Sequence, residues 1–338
     1  MTHKHVLAAL LPFAFTTTQA IAQDGPFGWE GEIEVGVESV LSSDAPGNEL
    51  SDAFLNVEIS GSYAFSDRVF VFGTLAAESV LDPTDDRAFE DIGIYVKELG
   101  LSFALMESAS IALGKITPTF GRTWDDSAGY FGSSLAEDYE LTEQVGIVAD
   151  VEIAPGGTLS FGVFYADDTS LSRSIGTDRG RNTIAVGGAG NTGKLNNVTL
   201  SWTQELGEST SIQIAARHLS AGVGEIADET GLTASVAHQF NDSFSMFAEL
   251  ARFNNFGGGA DDATYATLNG AYYTGQWVFS GTVTRRDLNS GGTTDLVSVS
   301  AEYEFNNGFV AGAGLALVDD NGTSDTILGV NLVVPLGG

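Results

Sequence analysis

The sequence predicts an all-β chain that closes into an antiparallel transmembrane barrel of about 16 strands, with a third long loop folded inward. Three observations predict it. Segments that alternate between apolar and polar residues recur from Gly28 to Val334. They are joined in turn by a tight turn and by a longer polar loop. Cysteine is absent, so no disulfide staple or thiolate site supports any other architecture. The tight joints fall at 65–67, 106–108, 155–157, 207–209, 241–242, 274–275 and 306–308. The polar joints centre on 43–47, 82–86, 118–139, 169–193, 222–228, 257–262, 290–292 and 319–322. Seven turns and eight loops are fifteen joints, and fifteen joints imply sixteen strands.

Residues 1–22 read as an export signal outside the fold, leaving one barrel domain over residues 23–338. Lys4 gives a positive start, the stretch from Val6 to Phe15 a short apolar core, and Ala20-Ile21-Ala22 a small-residue cleavage site ahead of Gln23. The apolar core is too short for a spanning helix, which needs roughly 20 residues. Membrane residence then has to come through strands, and a bacterial outer membrane is the expected location.

Along the chain the period of two is explicit. In the first strand Ile33, Val35 and Val37 alternate with Glu32, Glu34, Gly36 and Glu38. In the second, Leu55, Val57, Ile59, Gly61 and Tyr63 alternate with Asn56, Glu58, Ser60 and Ser62. The same beat returns at Val145 to Ile153, Val198 to Trp202, Val297 to Phe305 and Leu328 to Val334. Such strands carry one apolar and one polar face. A soluble sandwich would share this pattern, but its connections cross between sheets with irregular lengths. Here every neighbour is reached by a plain hairpin. An open sheet of this width would be unusual, and closure at this strand number leaves an aqueous channel. Two segments break the beat. The apolar parity switches between Ile92, Ile94, Val96 and Leu101, Phe103, Leu105, which predicts a bulge around 98–101. Residues 69–77 are apolar on both faces, which predicts a strand covered inside or packed at a subunit contact.

Charge narrows the function. The net charge is −31, and removing residues 1–22 takes away one lysine and no acid, leaving −32 from 13 bases and 45 acids. That repels nucleic acid and suits cation attraction into a water-filled path. The third loop, about 117–140, holds Phe120, Trp124, Tyr130, Phe131 and Tyr139. It is too aromatic to stand free in water, and a wide barrel offers its inner wall. Folded inward, it would bring Asp125, Asp126, Glu137, Asp138 and Glu140 to the passage, where a ring of carboxylates favours cations. The alternative is an ordered external loop that caps the barrel.

The run from Gly114 to Gly121 (Gly-Lys-Ile-Thr-Pro-Thr-Phe-Gly), then Trp124-Asp125, then Ala136-Glu137-Asp138-Tyr139-Glu140-Leu141, resembles the porin family of alphaproteobacterial outer membranes. Pro118, Phe120 and Gly121, followed by Trp124, also resemble the start of the constriction loop of general diffusion porins. The resemblance implies a sixteen-stranded barrel, usually a homotrimer, that passes small hydrophilic solutes; no cofactor is expected. It further implies a basic wall cluster opposite the acidic loop. By strand parity the candidates are Lys97, Arg217 and Arg286, with Lys115 and Arg122 bracketing the loop start. Taken singly, each also reads as a solvated rim charge. Porins usually end in an aromatic residue, whereas this chain ends Val334-Pro335-Leu336-Gly337-Gly338. That departure leaves the assembly signal slightly inside the end, or assembly less efficient.

Other motifs carry no chemistry. The run from Gly188 to Lys194 has phosphate-loop spacing, but Leu195 stands where Ser or Thr would hold magnesium and no helix follows. Gly257-Gly258-Gly259-Ala260-Asp261 occurs once, whereas calcium-binding repeats must stack. Asp319-Asp320-Asn321-Gly322 lacks the later bidentate Glu of a calcium loop. A loosely held divalent ion in the acidic loops is the one metal the sequence admits. His218 and His238 have no ligand-like spacing, and no nucleophile elbow or acid–base pair is visible. The expected function is a passive, cation-preferring channel in contact with outer-membrane lipid. The competing expectation is a barrel adhesin or structural anchor with a plugged interior.

Overall fold

The computed structural model describes residues 25–45 and 47–337. The predicted export signal, residues 1–22, and Gln23 lie outside them. Sixteen long strands form one closed antiparallel sheet. In chain order they are β1 (Phe27–Ser43), β2 (Ser51–Ser66), β3 (Val69–Ser79), β5 (Ile92–Met106), β6 (Ala109–Ile116), β7 (Gln144–Ala154), β8 (Gly157–Ala166) and β10 (Asn197–Leu206). They continue as β11 (Thr210–Leu219), β12 (Glu229–Asn241), β13 (Phe244–Asn254), β14 (Ala263–Thr274), β15 (Trp277–Leu288), β16 (Gly292–Glu304), β17 (Val310–Asp320) and β18 (Thr323–Gly337). Two further strands of two residues each, β4 (Arg87–Ala88) and β9 (Ile175–Gly176), lie within long loops. Each long strand pairs with its neighbour in sequence, and β1 pairs with β18 from Glu30 opposite Gly337 to Ser43 opposite Asp325. That last pairing removes both sheet edges, which a barrel must do. The seven tight turns and eight loops fall where the alternation of the sequence places them.

Parity decides which face each side chain takes. Leu200, Ile214, Leu232, Leu250, Leu268, Val283 and Val299 stand exposed on the outside. Their neighbours Thr199, Gln213, Thr233, Glu249, Thr267, Thr282 and Ser298 point inward and are buried. The apolar side is therefore the outer side, the reverse of a soluble domain.

The two irregular segments have physical explanations. Opposite β3, Thr74 pairs with Glu98 and Leu75 with Val96, so Lys97 is the extra residue of a bulge in β5. The bulge sits just before the predicted 98–101, and Lys97 faces inward in phase with Tyr95, its ammonium 2.6 Å from Glu58 on β2. The doubly apolar strand β3 is covered inside. Phe72 packs with Ile116 of β6 and Val148 of β7, and its ring lies against Gly100, where a Cβ would stand 2.6 Å from it.

Strand β6 leaves the sheet early, after Ile116, while β5 runs on beyond their last paired residues, Leu99 and Lys115. The fourth loop fills part of the exposed edge, with Ile175 and Gly176 pairing to Ile94 and Gly93. In the same way Arg87 and Ala88 of the second loop lie parallel to Asp52 and Ala53. Arg87 holds Asp52 there with Nε–Oδ1 at 2.8 Å.

Gly114 lies at φ +138°, and a Cβ there would run into the carbonyl oxygen of Leu99. A backbone obstruction cannot rotate away, so Gly114→Ala should cost about 1–3 kcal/mol. In Gly281 a Cβ would come no closer than 3.6 Å to any atom. Thermal unfolding in detergent, followed by the β signal in circular dichroism, should show a clearly lower midpoint for Gly114→Ala and an unchanged one for Gly281→Ala.

Candidate functional site

The third loop leaves β6 at Thr117 and returns to β7 at Gln144. It carries a one-turn helix α1 (Thr123–Asp126) and a 3-10 turn at Ala136–Tyr139. Its neck is an aromatic knot. Phe120, Tyr139, Phe253 and Tyr265 pack with ring centroids 5.0–6.5 Å apart, and all four are buried. Gly121, at φ +81°, lets the chain turn into this knot, because a Cβ would stand 2.9 Å from the Trp124 ring and 3.2 Å from Tyr139. Pro118 is also fully buried. Phe120, Gly121 and Trp124 are thus one packing unit, while Pro118 lies against Gly162 of β8.

From the neck the loop runs along the polar side of β11 to β18. The backbone N–H of Ala128 donates to Asn269 Oδ1 (3.1 Å), and Asn269 Nδ2 donates back to the Ala128 carbonyl (2.8 Å). The Tyr130 N–H donates to Ser300 Oγ at 3.1 Å. Tyr130 Cβ and the Phe131 ring then lie over Gly314, and the Tyr130 ring over Gly329.

The five loop acids separate into two kinds. Asp126 pairs with Arg122 (2.7 Å) and Asp138 with Arg286 (2.9 Å). Tyr265 OH also donates to Asp138, at 2.8 Å. Asp125, Glu137 and Glu140 have no ion-pair partner among the described residues. Burial, and then the charges of Asp126 and Glu140, push the Asp125 carboxyl up to about 8. Burial also raises Glu137, against a hydrogen bond from Ser133, and raises Glu140, against the pull of Lys97.

The basic candidates are all paired. Lys97 binds Glu58. Lys115, almost fully buried, binds Glu143 at 2.6 Å and Asp167 at 2.8 Å. Arg217 faces inward, as its parity predicts, but it is also buried. Its guanidinium lies 4.6 Å from the centroids of both Phe120 and Phe253. It binds Glu229 at 2.7 Å and the Tyr139 carbonyl at 2.6 Å. Lys115 and Arg217 therefore anchor loops, and neither presents a free cation. Arg122 lies 3.0 Å from Ser211 Oγ besides its pair with Asp126.

A set of residues that the sequence reading did not place at the site is the polar face of β1, β2, β3 and β5. Glu34 accepts from Asn331 Nδ2 at 2.6 Å, Glu98 from Thr74 at 3.3 Å, and Glu78 from the Tyr95 hydroxyl at 2.5 Å. Glu32, Glu38, Asp52 and Glu58 share this face by register. Glu140 has Lys97 and Glu58 as electrostatic neighbours, and Glu137 has Glu78 and Glu38. The signal was present in the alternating glutamates of β1, but nothing in the sequence says which wall the loop leaves uncovered. Among the described residues no group of three or more His, Asp or Glu side chains is arranged to hold a metal ion.

The barrel and its third loop define a wide-barrel architecture, and the comparisons agree with that fold. No family model matches the chain, and no curated protein matches it. Among solved structures, the outer membrane channel DcaP of Acinetobacter baumannii superposes with a TM-score of 0.68 at 11% identity, covering 92% of this chain and 97% of that one. A variant of the porin of Rhodobacter blastica superposes with a TM-score of 0.61 at 17% identity, covering 92% of this chain and 100% of that one. At these identities the likeness is one of fold.

The Lys115 pairing has a measurable consequence. Burial tends to raise the Asp167 carboxyl, but hydrogen bonds from Lys115 and Thr169 outweigh it and hold Asp167 below the usual carboxylate range. A lowered acid contributes stability above its unfolded value and loses it as pH falls through its folded value. Lys115→Met leaves Asp167 buried without its cation, at a cost of about 3–5 kcal/mol. The unfolding midpoint in detergent should drop at pH 7, and the gap to the unaltered protein should shrink below the ordinary carboxylate range.

Proposed function

We propose that the protein is an outer-membrane porin, a passive water-filled channel for ions and small hydrophilic solutes that prefers cations. The observation that carries this reading is a closed sixteen-strand barrel whose polar loop lies against one side of the wall. In this reading the gap between the loop and the β1–β5 wall is the constriction. Carboxylates line both of its sides: Asp125, Glu137 and Glu140 on the loop, and Glu32, Glu38, Glu58 and Glu98 on the wall. Lys97, Arg122 and Arg286, the basic candidates nearest to it, are each neutralised by an acid. At physiological salt, screening acts over about 8 Å, so charges at a narrow place govern selectivity and the total charge does not. The reading departs from the acid-against-base constriction that the sequence resemblance implies.

The outer belt of exposed leucine, isoleucine and valine supports membrane residence, since soluble monomers rarely expose contiguous apolar area of this extent. Export through a cleaved signal over residues 1–22 belongs to the same reading, as do lipid on the outside and no resident cofactor.

A homotrimer is the proposed assembly. The outer face of β1, β2, β3 and β5 bears an apolar trough of about 630 Å³, lined by Phe27, Trp29, Ile59, Gly61, Gly73 and Leu99. Small residues on its floor let a neighbouring barrel approach closely. A detergent-corrected mass of three chains is expected, and the mass of one chain would contradict it.

Reversal potentials of single channels in a planar bilayer test the pore. In a salt gradient the protein should prefer cations. Above pH 8, where Asp125 is charged, Asp125→Asn with Glu140→Gln should move the reversal potential towards zero, while Asp261→Asn with Asp262→Asn in the sixth loop should not. Because the raised Asp125 carboxyl ionises near pH 8, cation preference should increase as pH rises through that value, and Asp125→Asn should flatten the increase. Absence of channel current would favour a plugged barrel, and anion preference would overturn the site.

A further inference from the structure

We infer that Glu249, a buried residue of β13 that touches no passing solute, is the positioning residue of the third loop and thereby sets the constriction. This rests on the pore reading above and adds the residue that holds the pore at its width. Glu249 is only 2% exposed. Its Oε2 accepts the backbone N–H of Arg122 at 2.9 Å. Its Oε1 accepts the Thr123 hydroxyl at 2.7 Å and the Tyr139 hydroxyl at 2.7 Å. Arg122 and Thr123 belong to the outgoing limb of the loop and Tyr139 to the returning limb. One carboxylate on a paired strand therefore ties both limbs together and to the wall.

The chemistry suits the task. A carboxylate is the side chain that can take three donors at once, and charge-assisted bonds out of water are the strong ones. The donors also have few alternatives. Thr123 and Tyr139 are 1% exposed, so loss of Glu249 leaves their buried hydroxyls only the long 3.4 Å contact with each other. The carboxylates proposed to face the passage lie close in sequence to these tied residues. Asp125 follows Thr123 by two positions, and Glu137 and Glu140 flank Tyr139. A shift of the tie moves all of them. Other contacts hold single parts of the loop: Arg217 the Tyr139 carbonyl, Arg286 and Tyr265 the Asp138 carboxylate, Ser211 the Arg122 guanidinium, and Asn269 and Ser300 the tip beyond α1.

The test uses the full chain, which contains no cysteine, so a single label reports on one place. A nitroxide on Glu137→Cys should give a slow, immobilised spectrum in the otherwise unaltered protein. It should become mobile when Glu249→Ala is added, with the heat-modifiable gel mobility of the folded barrel retained. Tyr139→Phe removes one bond without opening a cavity, and it should give an intermediate spectrum. It serves as the second variant if Glu249→Ala does not assemble. In bilayers Glu249→Ala should raise open-channel current noise severalfold and reduce cation preference. Tethering the tip through Tyr130→Cys with Gly314→Cys should restore a quiet current, a rescue that a general folding defect would not allow. Unchanged label mobility in both variants would overturn the inference whether or not the protein conducts. Lack of current in the unaltered protein, with the mobility change present, would overturn the pore reading alone.

Discussion

Closure of β1 onto β18 is the constraint on which the rest depends. With every strand paired on both sides, the backbone is satisfied within the sheet and the outer face is free to be apolar. The same closure makes the polar faces of all sixteen strands converge on one interior. A long aromatic loop leaving β6 then has a concave wall within reach. The knot of Phe120, Tyr139, Phe253 and Tyr265, with Glu249 and Arg217 beside it, is what a loop gains by packing on that wall. The early departure of β6 after Ile116 is the cost. It leaves an edge on β5 that the fourth loop covers in part through Ile175 and Gly176, with Lys115 pinning that loop through Asp167.

The distribution of charge follows from this geometry. Because the loop lies along β11 to β18, the basic residues on that side find loop partners: Arg217 the Tyr139 carbonyl, and Arg286 Asp138. The opposite side, β1 to β5, meets the third loop at Thr117, beside Glu98, and otherwise meets the second loop at Asp52 and the fourth at Ile94. Among the described residues the acids on these strands make no ion pair, apart from Glu58 with Lys97 and Asp52 with Arg87. The proposed preference for cations is therefore a property of where the loop lies as much as of the net charge of −31.

Most of the fold was legible in the sequence, because a period of two and turn residues are local signals. The fifteen joints and sixteen long strands follow from them, and so does the inward parity of Lys97, Arg217 and Arg286. The bulge was legible as a change of parity, although the extra residue is Lys97, one position before the predicted 98–101. What was not legible depends on residues far apart in the chain. The sandwich of Arg217 between Phe120 and Phe253 joins the third loop to β11 and β13, so parity gives its direction but not its burial. Glu249 carries no motif at all, and only its three donors reveal it. The two-residue strands β4 and β9 are set by edges that neighbouring strands leave open, which no local pattern encodes.

The central claim is that the third loop lies against the β11–β18 side and leaves the β1–β5 wall uncovered. Engineered cross-linking in a chain without cysteine tests it most directly. A Cβ on Gly314 would lie 2.8 Å from Tyr130 Cβ, close to the 3.5–4.5 Å span a disulfide needs after small adjustment. Tyr130→Cys with Gly314→Cys should oxidise nearly completely in the assembled protein, while Tyr130→Cys with Ser60→Cys on β2 should stay reduced. Oxidation of the second pair, or failure of the first in a folded barrel, would place the loop elsewhere and contradict the account.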